Sequence, residues 1–181
     1  GSEYGEITNP VALGKRTQKP SWWGSENAGG LVVIDCGSLE LDATARIEVK
    51  GAGCASGGSI NIKLKAGGAV LGSGVLDVGV TSHTANQQRF AGGGRVAVLG
   101  YGSITSGILE NGVLDGQSRH GSGAGTLFHR KKGEVGNVVV RSSFTPHPRT
   151  LVDGPASLVK LNVDNTKVVY EVPENSGTLS V

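Results

Sequence analysis

Methionine is absent from this 181-residue chain, aromatic residues make up only 4% of it, and cysteine and tryptophan occur twice each. Each shortage excludes a class. With so few aromatics the chain lacks the interleaving of aromatic and basic side chains by which single-strand binders hold nucleic acid, and a formal net charge of +2 adds little in that direction. Two cysteines without histidine neighbours make no zinc site. No apolar run reaches the length of about 18 residues that a membrane-crossing helix needs, so membrane insertion is not expected. No segment has the pattern of a signal peptide, and no serine sits in the G-x-S-x-G turn of a hydrolase. The opening Gly1-Ser2 reads as a remnant of cloning, and the chain as an excised piece of something longer.

What is plentiful is glycine, 31 residues of the 181, where an average protein has about 7%. No G-X-Y period accompanies it, so a collagen helix is excluded. Disorder would need few β-branched residues and a high net charge, whereas Val and Ile recur here in short runs. The combination describes an ordered β protein with many turns.

The runs repeat. Gly29-Gly30 precedes LVVIDC, Gly57-Gly58 precedes SINIKLK, Gly92-Gly93-Gly94 precedes RVAVLG, and Gly123-Ala124-Gly125 precedes TLFHRK. The strand starts lie roughly 28 to 36 residues apart, a period that belongs to solenoids and arrays. A second motif recurs in each unit: RIEVKG, VLDVGV and VLDGQS, each with a large apolar residue (Ile47, Leu76, Leu114) and a carboxylate shortly before glycine. Such units read as rungs of a parallel β-helix, stacked about 4.8 Å apart. Glycine then serves the corners, where the backbone takes φ > 0 or passes very close to its neighbour. Residues 81–91 read as a long corner loop, and helical periodicity is not convincing anywhere.

Residues 92–107, GGGRVAVLGYGSITSG, imitate a dinucleotide fingerprint. That motif needs a helix after its glycines, to hold a pyrophosphate at the helix N-terminus. Here Thr105 takes the place of the third glycine, and Gly107 and Gly112 interrupt the segment where the helix would run. The stretch is read as a β-helix corner.

The motif order resembles the glycine-rich parallel β-helix repeat segments of very long secreted or cell-surface proteins of bacteria and protists. YGEITNPVALG at 4–14, GGSINIKL at 57–64, GGGRVAVL at 92–99 and GAGTLF at 123–128 come in the order those segments show. The chain departs from the pattern where Val49-Lys50-Gly51, Val78-Gly79 and Gly116-Gln117 stand in place of A-N-G, and where KRTQKPSWW replaces a glycine run. The resemblance implies a surface or adhesive role and transfers no catalytic residue.

Several constellations carry open alternatives. Cys36 and Cys54 are expected to form a disulfide, which would mean export; buried free thiols are the alternative. Glu48, Asp77 and Asp115 are expected to form a ladder of carboxylates along one face, either a calcium or polysaccharide-cleaving site or a merely solvated row. His83 and His120 fall in corner loops, with His129 and His147 further on. Trp22 and Trp23 either cap the open first coil or stack on sugar rings as a glycan-binding site. Lys15-Arg16, Lys19 and Arg130-Lys131-Lys132 are basic clusters suited by charge to an anionic glycan, or simply solvated.

The expected fold is all-β, a short right-handed parallel β-helix of about five coils, with a β-sandwich or β-prism as the alternative. After the cloning remnant at 1–2, residues 3–181 form one solenoid domain, with a capping segment at 3–30, main coils at 31–140 and terminal coils at 141–181. The expected function is a non-enzymatic extracellular structural or adhesion module of a larger surface protein. The alternatives are a carbohydrate-binding module and a small β-helical polysaccharide lyase or hydrolase. No cofactor is expected beyond a possible calcium ion. Expected partners are glycans or other cell-surface and matrix components and neighbouring domains, not nucleic acid.

Overall fold

Every glycine cluster that opens a repeat is succeeded by a strand in the computed structural model, which describes residues 8–14, 27–53, 55–65, 67–81, 91–114 and 123–140, and the backbone of 149–151, 160–163 and 169–171. The strands Leu31–Cys36 (β1), Ser59–Leu64 (β5), Arg95–Tyr101 (β9) and Thr126–Lys131 (β11) lie side by side and parallel in one sheet. The pairing is in step: Leu31 faces Ser59, Ser59 faces Arg95, and Arg95 faces Thr126. The chain is a right-handed parallel β-helix of roughly five coils.

Within the first coil, β1 turns through Gly37 into Leu39–Leu41 (β2), then into Arg46–Glu48 (β3) and Gly51–Ala52 (β4). The second coil repeats this with Ala69–Gly72 (β6), Val75–Asp77 (β7) and Val80–Thr81 (β8), paired in parallel with β2, β3 and β4. The turn between β2 and β3 is set by Asp42. Its Oδ1 accepts the backbone N–H groups of Thr44 and Ala45, both at 2.8 Å, closing an Asx-type turn. The third coil departs from the pattern. After Ser103–Ile104 (β10) comes a five-residue helix, Ser106–Glu110 (α1), and among the described residues only Val113 bridges back to Asp77. This helix was not expected from the sequence. It is one turn long, has no side-chain cap, and comes after the false dinucleotide motif only as a corner.

The doubled glycines explain themselves by contact between coils. A Cβ on Gly58 would fall on the carbonyl oxygen of Gly30, one on Gly94 on that of Gly58, and one on Gly125 on that of Gly94. Those same carbonyls accept the first ladder bonds of the next strand, from Ser59, Arg95 and Thr126, at 3.0, 2.9 and 3.1 Å. The closing bond of each coil also repeats: the N–H groups of Gly58, Gly94 and Gly125 donate to the carbonyls of Val49, Val78 and Leu114 at 2.8, 2.8 and 2.6 Å. No side chain fits where backbones approach this closely, so the close approach rather than φ > 0 demands glycine at this corner.

Alternation along the strands builds the core. Ile60, Ile62, Val96, Val98 and Leu127 point inward with Val70, Leu76, Val78, Ile108 and Leu114, and each is 0–2% exposed. Each such side chain contributes about 1.5–3 kcal/mol of burial. Branched aliphatics of similar size stack in register from coil to coil, so few aromatics are needed to fill the tube.

At its far end the chain changes direction. After β11 a tight turn through Gly133, at φ +78, leads to Asn137–Val140 (β12), which pairs with β11 antiparallel. Lys160–Val163 (β14) then pairs in parallel with β12, and Arg149–Leu151 (β13) with Val169–Glu171 (β15). Strands β12 and β14 therefore run opposite to the main coils, a reversal the repeats did not announce. A second apolar cluster, Ala97, Ala124, Phe128, Val138 and Val140, lies on the outer face of the sheet, since these alternate with the inward residues. Further along that face, over β5, residues 8–14 lie across the sheet: Ser59 Oγ donates to the Ala12 carbonyl at 2.6 Å and Asn61 Nδ2 to Asn9 Oδ1 at 2.8 Å.

The expected disulfide between Cys36 and Cys54 is not formed: Cys36 is a free thiol. The reason lies in the register. Cys36 ends β1 and faces Leu64, the last residue of β5. Gly53 and Ala55, which flank Cys54 in the chain, come before β5 begins opposite Leu31. The five register steps between Leu31 and Cys36 span about 17 Å, whereas a disulfide needs Cα atoms within about 7 Å.

Candidate functional site

The alternating sequence R-I-E-V-K at 46–50 puts Arg46, Glu48 and Lys50 on one side of the third face and Ile47 on the other. Ile47 pairs with Leu76 and packs against the core, while Glu48 pairs with Asp77. Two carboxylates thus sit one coil apart. The third position of the row is taken by Val113, and Asp115 lies outside the described residues.

Asp77 is 2% exposed and both oxygens of its carboxylate are engaged. Its Oδ1 accepts the Gly79 N–H at 3.0 Å. Its Oδ2 accepts from Arg46 Nη2 at 3.1 Å and lies 2.9 Å from Lys50 Nζ. Lys50 also reaches Glu48 Oε1 at 3.2 Å, and Arg46 Nε donates to the same oxygen. Two anions and two cations close on one another. The hydrogen bond from Arg46, then that from Lys50, holds the Glu48 carboxyl below its ordinary value. The Asp77 carboxylate in turn holds the Lys50 ammonium above its own, and Glu48 does the same for Arg46.

Stacked like charges repel, and the sequence alone left open whether a cation or solvent relieves that repulsion. Arg46 and Lys50 do so. Sequence reasoning passed over both, although period-two alternation around Glu48 was the signal that would have found them. The quartet is a fixed structural clamp between the first two coils: it holds Lys50 protonated and Glu48 ionised at neutral pH. Among the described residues no group of three or more His, Cys, Asp and Glu side chains is arranged to hold a metal ion.

A second polar pair lies inside the tube. Tyr101, 5% exposed, and His129 are joined by a 2.7 Å hydrogen bond between the hydroxyl and Nδ1, with ring centroids 6.1 Å apart. Burial holds His129 below its ordinary value; burial, and then the charge of Glu134, push the Tyr101 hydroxyl up. The pair is a neutral imidazole bonded to a phenol, and its hydrogen bond satisfies two polar groups that replace aliphatic filling, Tyr101 in the third coil and His129 in the fourth.

The remaining candidates divide plainly. Trp22, Trp23, Cys54, His83, His120, His147, Lys15, Arg16 and Lys19 lie outside the described residues. Arg130, Lys131 and Lys132 are exposed at the end of β11, where Lys131 pairs with Glu134 at 3.0 Å. No helix among the described residues is long and apolar enough to cross a membrane. The chain matches no protein-family model, no curated protein and no solved structure.

Proposed function

We propose that this chain is a non-enzymatic structural module of a longer cell-surface protein, a stiff rod of stacked coils that spaces and presents other parts of that protein and takes part in adhesion. One observation carries the reading: the best-placed carboxylates of the solenoid face, Glu48 and Asp77, are consumed in a closed ion-pair network with Arg46 and Lys50. A polysaccharide lyase or hydrolase needs a carboxylate free to exchange a proton with substrate, and this pair instead fastens one coil to the next. The order of glycine motifs supports the surface setting through its resemblance to repeat segments of long secreted proteins.

Two measurements test it. An antibody against this domain should label intact cells of the source organism without permeabilisation; labelling only after permeabilisation would remove the surface reading. Incubation with pectate, alginate and hyaluronate should yield no unsaturated or reducing ends. Turnover that disappears in Asp77→Asn, with the fold retained by circular dichroism, would make the chain an enzyme after all.

A further inference from the structure

The outer face of the main sheet carries a row in which Asp35, Lys63, Leu99 and Arg130 occupy one register position in successive coils. Immediately beyond it, where the strands end, stand Lys65, Lys131 and Lys132. The backbone fixes this: Lys65 N–H donates to the Cys36 carbonyl at 2.9 Å and Lys132 N–H to the Tyr101 carbonyl at 2.8 Å, so the stack brings both to one corner. The Lys132 stem reaches back over coil two, since a Cβ on Gly67 would stand 3.4 Å from its Cδ. Five cations therefore line one edge of the rod: Lys63, Lys65, Arg130, Lys131 and Lys132. Among the described residues only two have carboxylate partners, both exposed: Lys65 with Asp35 at 3.5 Å and Lys131 with Glu134 at 3.0 Å. No ion pair joins Lys63, Arg130 or Lys132 to any carboxylate among the described residues.

Unlike the quartet on the third face, this edge has charge to spare. Lys63 and Arg130 are two strand spacings apart, about 10 Å, and between them lies half-buried Leu99. The row is thus an apolar floor between two cations. We propose that this edge is a docking strip for a linear acidic polysaccharide. Carboxylate or sulfate groups of the chain meet Lys63, Arg130 and Lys132, and the C–H face of an intervening sugar ring lies on Leu99. A nucleic acid fits the charge but not the floor: single-strand binders stack bases on aromatic rings, and among the described residues the aromatics near this edge, Tyr101 and Phe128, are buried at 5% and 2% exposure. The strip rests on the adhesion reading above and names its partner.

The test is binding of the purified protein to immobilised heparin, polygalacturonate and neutral dextran, with single-stranded and duplex DNA as competitors. Retention on the two acidic polymers, none on dextran, and a loss of roughly tenfold in affinity for Lys63→Gln/Arg130→Gln/Lys132→Gln at physiological salt are expected. Leu99→Ser should weaken binding without changing its salt dependence. Equal loss in Lys15→Gln/Arg16→Gln/Lys19→Gln, which removes the same charge from another stretch of the chain, would overturn the strip. So would displacement by DNA at lower concentration than by either polysaccharide. Absence of any polysaccharide binding would overturn it as well while leaving the structural module intact, because surface labelling and lack of turnover do not depend on these three residues.

Discussion

The two ends of the main coils are built from the same motif and finished differently. In the first coil the inward residues Val32, Ile34, Cys36, Leu39 and Ile47 are only half-buried, and on the outer face Leu31 and Val33 are 37% and 54% exposed. In the third and fourth coils the inward Val96, Val98 and Leu127 are fully buried, and the outer face is buried too, with Ala97 at 0% and Phe128 at 2%. The difference shows what stacking contributes. A coil flanked on both sides by described strands is closed by its neighbours, and one so flanked on one side alone keeps its inward layer half-buried. Sequence pattern alone does not distinguish them, since LVVIDC alternates as well as RVAVLG.

The glycine corner gives the sharpest break between the two. Gly58→Ala drives a methyl into the Gly30 carbonyl, which is itself fixed by its bond to Ser59, so neither backbone can yield. The expected cost is about 3 kcal/mol or more, enough to prevent soluble expression or to lower the midpoint of urea unfolding steeply. Gly30→Ala, at the equivalent place in the end coil, meets nothing within 4 Å and should change stability by less than about 0.5 kcal/mol. Similar losses in the two variants would show that the coils do not stack in this register.

The ion-pair clamp comes next in size. Asp77→Asn leaves Arg46 and Lys50 facing a neutral amide at a buried site, and a loss of about 2 kcal/mol is expected by denaturant unfolding. Glu48→Gln acts on an exposed carboxylate and should cost less than about 0.5 kcal/mol. If the two variants lose equally, the clamp is a surface feature and not a fastening between coils.

A smaller effect separates the far coil from the near one by pH. Burial holds the folded-state pKa of His129 below its ordinary 6.5. The unfolded chain therefore binds this proton more readily. The stability contributed by the neutral ring is full above about pH 6.5 and declines as pH falls from there toward the folded value. Glu48 acts lower: its depressed pKa gives stability that is present above its ordinary 4.5 and is lost as pH falls through the folded value. Thermal unfolding between pH 7 and pH 5 should thus show a decline that His129→Gln flattens. A decline unchanged in that variant would place the titrating group elsewhere.

The main sheet was legible in the sequence because its two determinants are local. Paired glycines mark the close corner and alternation of branched residues marks the strand, so the start of each of β1, β5, β9 and β11 coincides with its motif. What escaped depends on contacts that no short window contains. Helix α1 has five residues, one of them glycine, too few for a period to register. Beyond it Val113, rather than the later residue to which VLDGQS pointed, stands beside Asp77. The reversal after β11 turns on Gly133 and on Gly136, whose missing side chain makes room for the Phe128 ring. A glycine that marks a corner elsewhere marks a hairpin there, and only the partner strand tells the two apart.

Cys36 offers the least disruptive test of the open end. It is half-buried at the last position of β1, has no disulfide partner, and packs against the rim of the core. A thiol there contributes little packing, so Cys36→Ser should cost no more than about 1 kcal/mol, against the larger loss expected when a fully enclosed side chain such as Ile62 is cut to alanine, about 3 kcal/mol. The same geometry makes redox state irrelevant to the fold: a reducing agent should leave the melting temperature unchanged, and a thiol reagent should modify Cys36 in the native protein without unfolding it. A fall of several degrees on reduction would mean that this thiol is tied to another, which the separation of the two ends of β1 forbids.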